Sequence, residues 1–206
     1  MTIAADRGEL LRRGRLLELF TILWNSLEGL VSVTLGLLAG SIALVGFGID
    51  SFIETSSGIV LLWRLQTRRD AESAERAEAT ALRLVGASLL ALATYVAYDA
   101  AGSLIRREAP EASIPGIVLA AVSLIVMPLL ARRKRAVAAA LGSQALAADA
   151  TQTSICMYLS AILLGGLLLN ALLGWWWADP VAALAMVPFI AREGREAWRG
   201  ERCAGE

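Results

Sequence analysis

Six apolar runs, at residues 20–38, 42–63, 84–105, 114–131, 151–173 and 177–191, dominate this sequence and leave it few ways to fold. Crossing ~30 Å of hydrocarbon takes about 20 apolar residues in a helix, and lipid tolerates only backbones that satisfy their own hydrogen bonds. The expected fold class is therefore all-α: a polytopic membrane protein with six transmembrane helices, forming a single domain over residues 1–206. A chain that is 57% hydrophobic and 18% charged, with mean hydropathy +0.61, agrees. The fifth run invites extension, because Asp149 is the single charge between residues 136 and 173, so its helix could begin on the cytoplasmic side. At the start of the sixth, Asp179 and Pro180 have the order of an N-cap and first helical residue, and Trp175, Trp176 and Trp177 suit the headgroup level.

Basic residues orient the spans. Arg7, Arg12, Arg13 and Arg15 precede the first, and Arg64, Arg68, Arg69, Arg76 and Arg83 follow the second. Arg132, Arg133, Lys134 and Arg135 separate the fourth and fifth, and Arg192, Arg195, Arg199 and Arg202 follow the sixth. Only Arg106 and Arg107 fall on the other side, so the excess of Lys and Arg on the inner face predicts that both termini are cytoplasmic. The first run is too long for the core of a secretory signal, and with no targeting signal the arginine-dense inner loops fit a bacterial inner membrane. Between residues 66 and 80 charges alternate (Arg68, Arg69, Asp70, Glu72, Glu75, Arg76, Glu78), which predicts a solvated helical connector.

Composition also excludes functions. The 19 basic residues balance 19 acidic ones, giving no case for a nucleic-acid partner. Histidine is absent, which removes imidazole acid–base chemistry and imidazole metal sites. Two cysteines, Cys156 and Cys203, are too few for a disulfide framework and are expected to be free thiols.

An ionisable side chain at mid-bilayer costs about 2.5 kcal/mol or more, so each one needs a partner, a cavity or a function. The candidates are Glu28, Asp50, Glu54, Asp99, Asp149 and Cys156. Asp50 and Glu54, four apart, share a helical face about a turn from each other, where their repulsion is relieved by a cation between them or a proton on one. In the fifth span Asp149, Gln152 and Cys156 form a stripe with similar spacing. Facing the acid pair, that stripe would line a small polar chamber fit for a divalent metal; carboxylates and amides suit Mn2+ or Fe2+, whereas a thiolate suits Zn2+ or Cd2+. Alternatively Asp149 is a helix-end residue, Gln152 an interhelical hydrogen bond and Cys156 a small buried side chain. Glu28, with Asn25 three residues before it, either extends the same site or is a structural acid bonded to Ser or Thr. Asp99 lies near the outer end of its span, within reach of water or Arg106. Gly36, Gly40, Gly46 and Gly48 permit close approach of the first two spans.

These motifs resemble the membrane domain of the cation diffusion facilitator (cation efflux) family. The run GSIALVGFGIDSFIETSSGIVLLWRLQ, residues 40–66, is similar to the family's second helix, in which two acids four apart supply half of the transport site; here they are Asp50 and Glu54. ALAADATQTSICMYLSAILLGG resembles the fifth helix, placing Gln152 and Cys156 where most members carry His or Asp and then Asp. WWWADPVAALAMV is similar to the sixth helix. The family usually adds a cytoplasmic metal-binding domain through which it dimerises, whereas about a dozen residues follow Ala191 here. The chain is thus closer to a short cation-transporter-like subgroup, which includes vesicular zinc-binding membrane proteins of animals.

The resemblance implies a secondary transporter exporting a divalent transition metal (Zn2+, Mn2+, Fe2+ or similar) by proton antiport. The metal is its substrate rather than a permanently bound cofactor, and its partners are the lipid bilayer, protons and a second copy in a homodimer. Asp50 and Glu54 are the expected principal ligands, with Gln152, Cys156, Asp149 and Glu28 completing the metal site. A metal-binding or metal-sensing membrane protein without net transport is the alternative. An enzyme is not expected: no nucleophile has a general base beside it, no Gly-rich phosphate loop is present, and only intramembrane aspartyl chemistry by Asp50 with Asp149 is conceivable.

Overall fold

The computed structural model describes residues 2–66, 71–108 and 110–199. Among these residues it contains six helices and no strand: α1 (Thr2–Ala39), α2 (Ile42–Gln66), α3 (Ala71–Arg106), α4 (Ile114–Leu141), α5 (Gln144–Leu173) and α6 (Ala178–Arg199). The expected positions of Arg68, Arg69, Arg202 and Cys203 lie outside the described residues. Five helices are long and apolar enough to cross a bilayer: α1 over 7–39, α2 over 42–63, α3 over 83–106, α4 over 114–141 and α5 over 149–173. The sixth, α6, reaches Arg192 sooner and falls short by that measure. It turns Ala182, Ala183, Met186 and Ile190 inward against α3 and α5.

Local chemistry decides the boundaries. Ser113 caps α4, its hydroxyl accepting from the Gly116 amide at 3.2 Å, and Pro115 occupies the first turn, where its missing N–H costs nothing. Gly142, at φ 64°, ends α4 in the left-handed conformation, and Ser143 caps α5 by accepting from Leu146 N at 3.3 Å. The α5 helix therefore does not begin at residue 136 as its composition invites. That stretch belongs to α4, and Arg132, Arg133, Lys134 and Arg135 lie on a helix rather than in a loop. The α1 helix is also longer than its apolar run; 38 residues at about 1.5 Å each reach ~57 Å, beyond the hydrocarbon at its N-terminal end.

One end of the bundle gathers the start of α1, the end of α4 and the start of α5, with Gly14 against Val137 and Leu146; α3 and the end of α6 meet there at Gly86 and Trp198. The other end gathers the α1–α2 turn, the 107–113 segment and the α5–α6 turn. There Glu111 N donates to Ala39 O at 2.8 Å, Asn170 Nδ2 donates to Pro110 O at 3.1 Å, and Trp175 stacks on Trp177 at 4.9 Å. Among the described residues, Arg106 and Arg107 are the basic ones at this outer end, so the positive-inside rule puts both termini in the cytoplasm. Arg106 is engaged by Glu108 at 2.7 Å, and its hydrogen bonds hold the Glu108 carboxyl below the usual carboxylate range. Asp99 is half-buried and accepts a 3.4 Å hydrogen bond from Tyr95.

Packing places α2 innermost among the five spanning helices. Between lipid-facing helices no hydrophobic drive exists, so close backbone approach supplies the association. A Cβ on Gly48 would stand 2.8 Å from Val33 N, and one on Gly36 would stand 2.7 Å from Val45 Cγ2. Two of the four glycines expected at the α1–α2 crossing thus serve it, joined by Gly29, 2.9 Å in the same sense from Gly48 O. Gly46 instead meets Val96 of α3, and Gly40 takes φ +68° in the turn. The interior is filled by side chains such as Leu44, Phe47, Leu89, Met127, Leu159 and Met186.

Asp179 has a different task from the one its position before Pro180 suggests. Instead of capping α6, its carboxyl accepts from Ser41 Oγ at 2.5 Å, Ile42 N at 3.0 Å and Ala43 N at 3.4 Å, capping α2 from across the bundle. The first amides of α2 have no carbonyl of their own, and at 1% exposure of the acid little water is available as a substitute. Asp179→Ala strands these donors and is expected to destabilise the fold by about 1–3 kcal/mol. Thermal unfolding in detergent checks this, and an unchanged midpoint would show that the cap contributes nothing.

Candidate cation site

Asp50 and Glu54 face the bundle interior from α2, 3% and 6% exposed. Their helix is the innermost, and one turn of spacing sends both side chains the same way. Glu54 Oε2 accepts from Asn25 Nδ2 of α1 at 2.7 Å, and Cys156 of α5 is buried at 1% exposure. Asp50, by contrast, receives no hydrogen bond among the described residues. Glu28, from α1, accepts from Ser51 Oγ of α2 at 3.0 Å and from Ser123 Oγ of α4, and it stands within electrostatic reach of Asp50 and Glu54. Gln152 accepts from Ser57 Oγ at 3.4 Å. The sequence-predicted residues Asp50, Glu54, Gln152, Cys156 and Glu28 are therefore brought to one region, as four helices converge on the middle of α2.

Asp149 is drawn elsewhere. Lys134 of α4, in sequence one of four basic residues between the fourth and fifth spans, is fully buried and ion-paired with Asp149 and, at 3.2 Å, with Glu18 Oε1 of α1. Its ammonium also lies 3.4 Å from Thr153 Oγ1. A buried ammonium demands such company, since an unpaired charge in this medium costs several kcal/mol. Asp149 is thus a partner of Lys134, toward the cytoplasmic end of the site, and its Oδ2 is already engaged.

The acids near Asp50 repel one another unless a proton or a cation intervenes, and burial strengthens that repulsion. Their oxygens are hard donors suited to a divalent ion, while Cys156 adds a softer one. Among the described residues no three Asp, Glu or Cys side chains close tightly around one point, so the acids form an open cluster rather than a finished cage.

The transmembrane-domain model of the cation efflux family matches residues 19–199. The chain belongs to that family. As a cation efflux domain it is a cation transporter embedded in the bilayer, and the match spans all six helices. No curated protein matches it.

Two features of this cation efflux domain escaped sequence reasoning. On α1 the buried polar residues Glu18, Thr21, Asn25, Glu28 and Ser32 recur at steps of three and four, one polar stripe along an otherwise apolar helix. That spacing is visible in the sequence and marks the face α1 turns inward. Glu193 sits between Arg192 and Arg195 and reads as a solvated tail, yet it follows Met186 and Ile190 on the same buried stripe.

Proposed function

We propose that this domain exports a divalent transition-metal cation from the cytoplasm in exchange for protons. The observation that carries the reading is Asp50: a buried carboxyl without a hydrogen-bond partner among the described residues, one turn from Glu54 on the innermost helix. Asp50 and Glu54 serve as principal ligands, with Gln152, Cys156 and Glu28 around them and Asp149 held by Lys134. Metal requires deprotonated ligands and protons displace metal, so competition at one cluster couples the two fluxes. Rocking of the helices that carry the cluster would present it to either side in turn. The reading includes assembly as a homodimer and residence in a bacterial inner membrane, the latter supported by the arginine-dense cytoplasmic end.

The test is flux into sealed proteoliposomes for Zn2+, Mn2+, Fe2+, Co2+ and Cd2+, with and without a pH gradient. Saturable uptake that grows with the gradient is expected. Metal bound stoichiometrically but never moved would make this a binding or sensing protein and remove the transport reading.

A further inference from the structure

Glu193 is buried on a helix end where the flanking arginines, Arg192 and Arg195, are exposed. Arg192 pairs outward with Glu196 at 2.7 Å, and Arg195 donates to Ala191 O at 3.2 Å, while Glu193 is only 9% exposed. The cause is the contact between α3 and α6: a Cβ on Gly86 would come within 2.7 Å of Gly194 O, so the two backbones nearly touch and the residue before Gly194 is pressed into the bundle. There α6 packs on α2 and α5, and Glu193 lies in electrostatic reach of Asp50 and Glu54. Its Oε1 is buried with no hydrogen-bond partner.

A second orphan lies on α1. Asn25 is fully buried and spends its amide nitrogen on Glu54, which leaves Oδ1 without a partner. Both orphans are acceptors. A buried acceptor left unsatisfied is expensive, and two of them beside a pair of acids call for a positive centre rather than another carbonyl.

We propose that Glu193 is a metal ligand of the transport site, filling with its carboxylate the place that Asp149 has given up to Lys134, and that Asn25 Oδ1 stands beside it. The inference rests on the transport reading above. It changes the substrate class: Asp50, Glu54, Glu193, Asn25 and Gln152 present oxygen only, five side chains against the single Cys156 thiol. An oxygen set drawn from four helices selects a hard or borderline divalent ion of the Mn2+ class over Zn2+ or Cd2+.

The experiment measures Mn2+, Zn2+ and Cd2+ binding and flux for the full chain in proteoliposomes, with Glu193→Gln, Glu193→Cys and Asp50→Asn beside wild type. Wild type is expected to prefer Mn2+. Glu193→Gln is expected to lower Mn2+ affinity by about 100-fold, at or above the upper end of what a supporting residue outside the ligand set costs. Glu193→Cys, which offers a thiolate, is expected to shift the Cd2+ to Mn2+ preference at least about tenfold toward Cd2+, a change that loss of packing alone would not produce. Wild-type Mn2+ affinity in Glu193→Gln, with Asp50→Asn inactive, would make Glu193 a structural acid and leave the transport reading intact. Full activity in Asp50→Asn would remove the transport reading itself. Should Glu193→Gln not fold, an unchanged metal preference in Glu193→Cys overturns the proposal on its own, as does a wild type that prefers Zn2+ or Cd2+ to Mn2+.

Discussion

Asp50→Asn is expected to reduce metal flux by at least about 100-fold while the protein folds as well as wild type, or better. The substitution keeps the shape of the side chain and removes its negative charge. No hydrogen bond to Asp50 is lost among the described residues, because none is made there, and the bond from Asn25 to Glu54 remains at 2.7 Å. Removing one of several mutually repelling acids, with Glu28, Glu54 and Glu193 near by, relieves strain in the metal-free protein. Loss of function is thus paired with an unchanged or raised unfolding midpoint. A structural acid gives the opposite pair, unfolding earlier while the surviving protein transports normally. Flux and thermal unfolding of the same preparation separate the two, and unchanged flux would dismiss Asp50 as a ligand.

The acid pair was legible because its signal is local: two carboxyls four apart in an apolar run have one helical explanation and a high cost without a partner. The helix count was legible for a similar reason, since apolar length acts segment by segment. What was not legible depends on contacts between segments. Asp179 precedes a proline and looks like the cap of α6, but the amides it accepts from belong to α2, 136 and 137 residues away. Gly142 and Ser143 could have shown that α4 and α5 are separate, since glycine followed by serine is a helix stop followed by a helix start. An uninterrupted lack of charge hid that break. Lys134 and Glu193 sit among arginines, and no local rule says which charge of a cluster turns inward. The facing helix does so, through Glu18 in one case and through the Gly86–Gly194 contact in the other.

Lys134→Met is expected to be the most destabilising single change at the cytoplasmic end, by about 3–5 kcal/mol, because it leaves buried acids without their cation. Lys134 binds Glu18 of α1 and Asp149 of α5 at once, so the loss loosens α4 from both neighbours. Methionine nearly matches the length of the lysine stem, which confines the change mainly to charge and hydrogen bonding. The sign is checked by a compensating variant: Lys134→Met combined with Glu18→Gln and Asp149→Asn has no stranded charge and is expected to recover most of the stability, as buried ion clusters replaced by neutral groups commonly do. Denaturant unfolding of the single and triple variants in detergent measures both. Equal stability of Lys134→Met and wild type would mean that the cluster is wetter than its burial indicates. Failure of the triple variant to recover would mean that the fold needs the lysine itself, as a donor to Thr153 and the two acids, more than it needs the charges balanced.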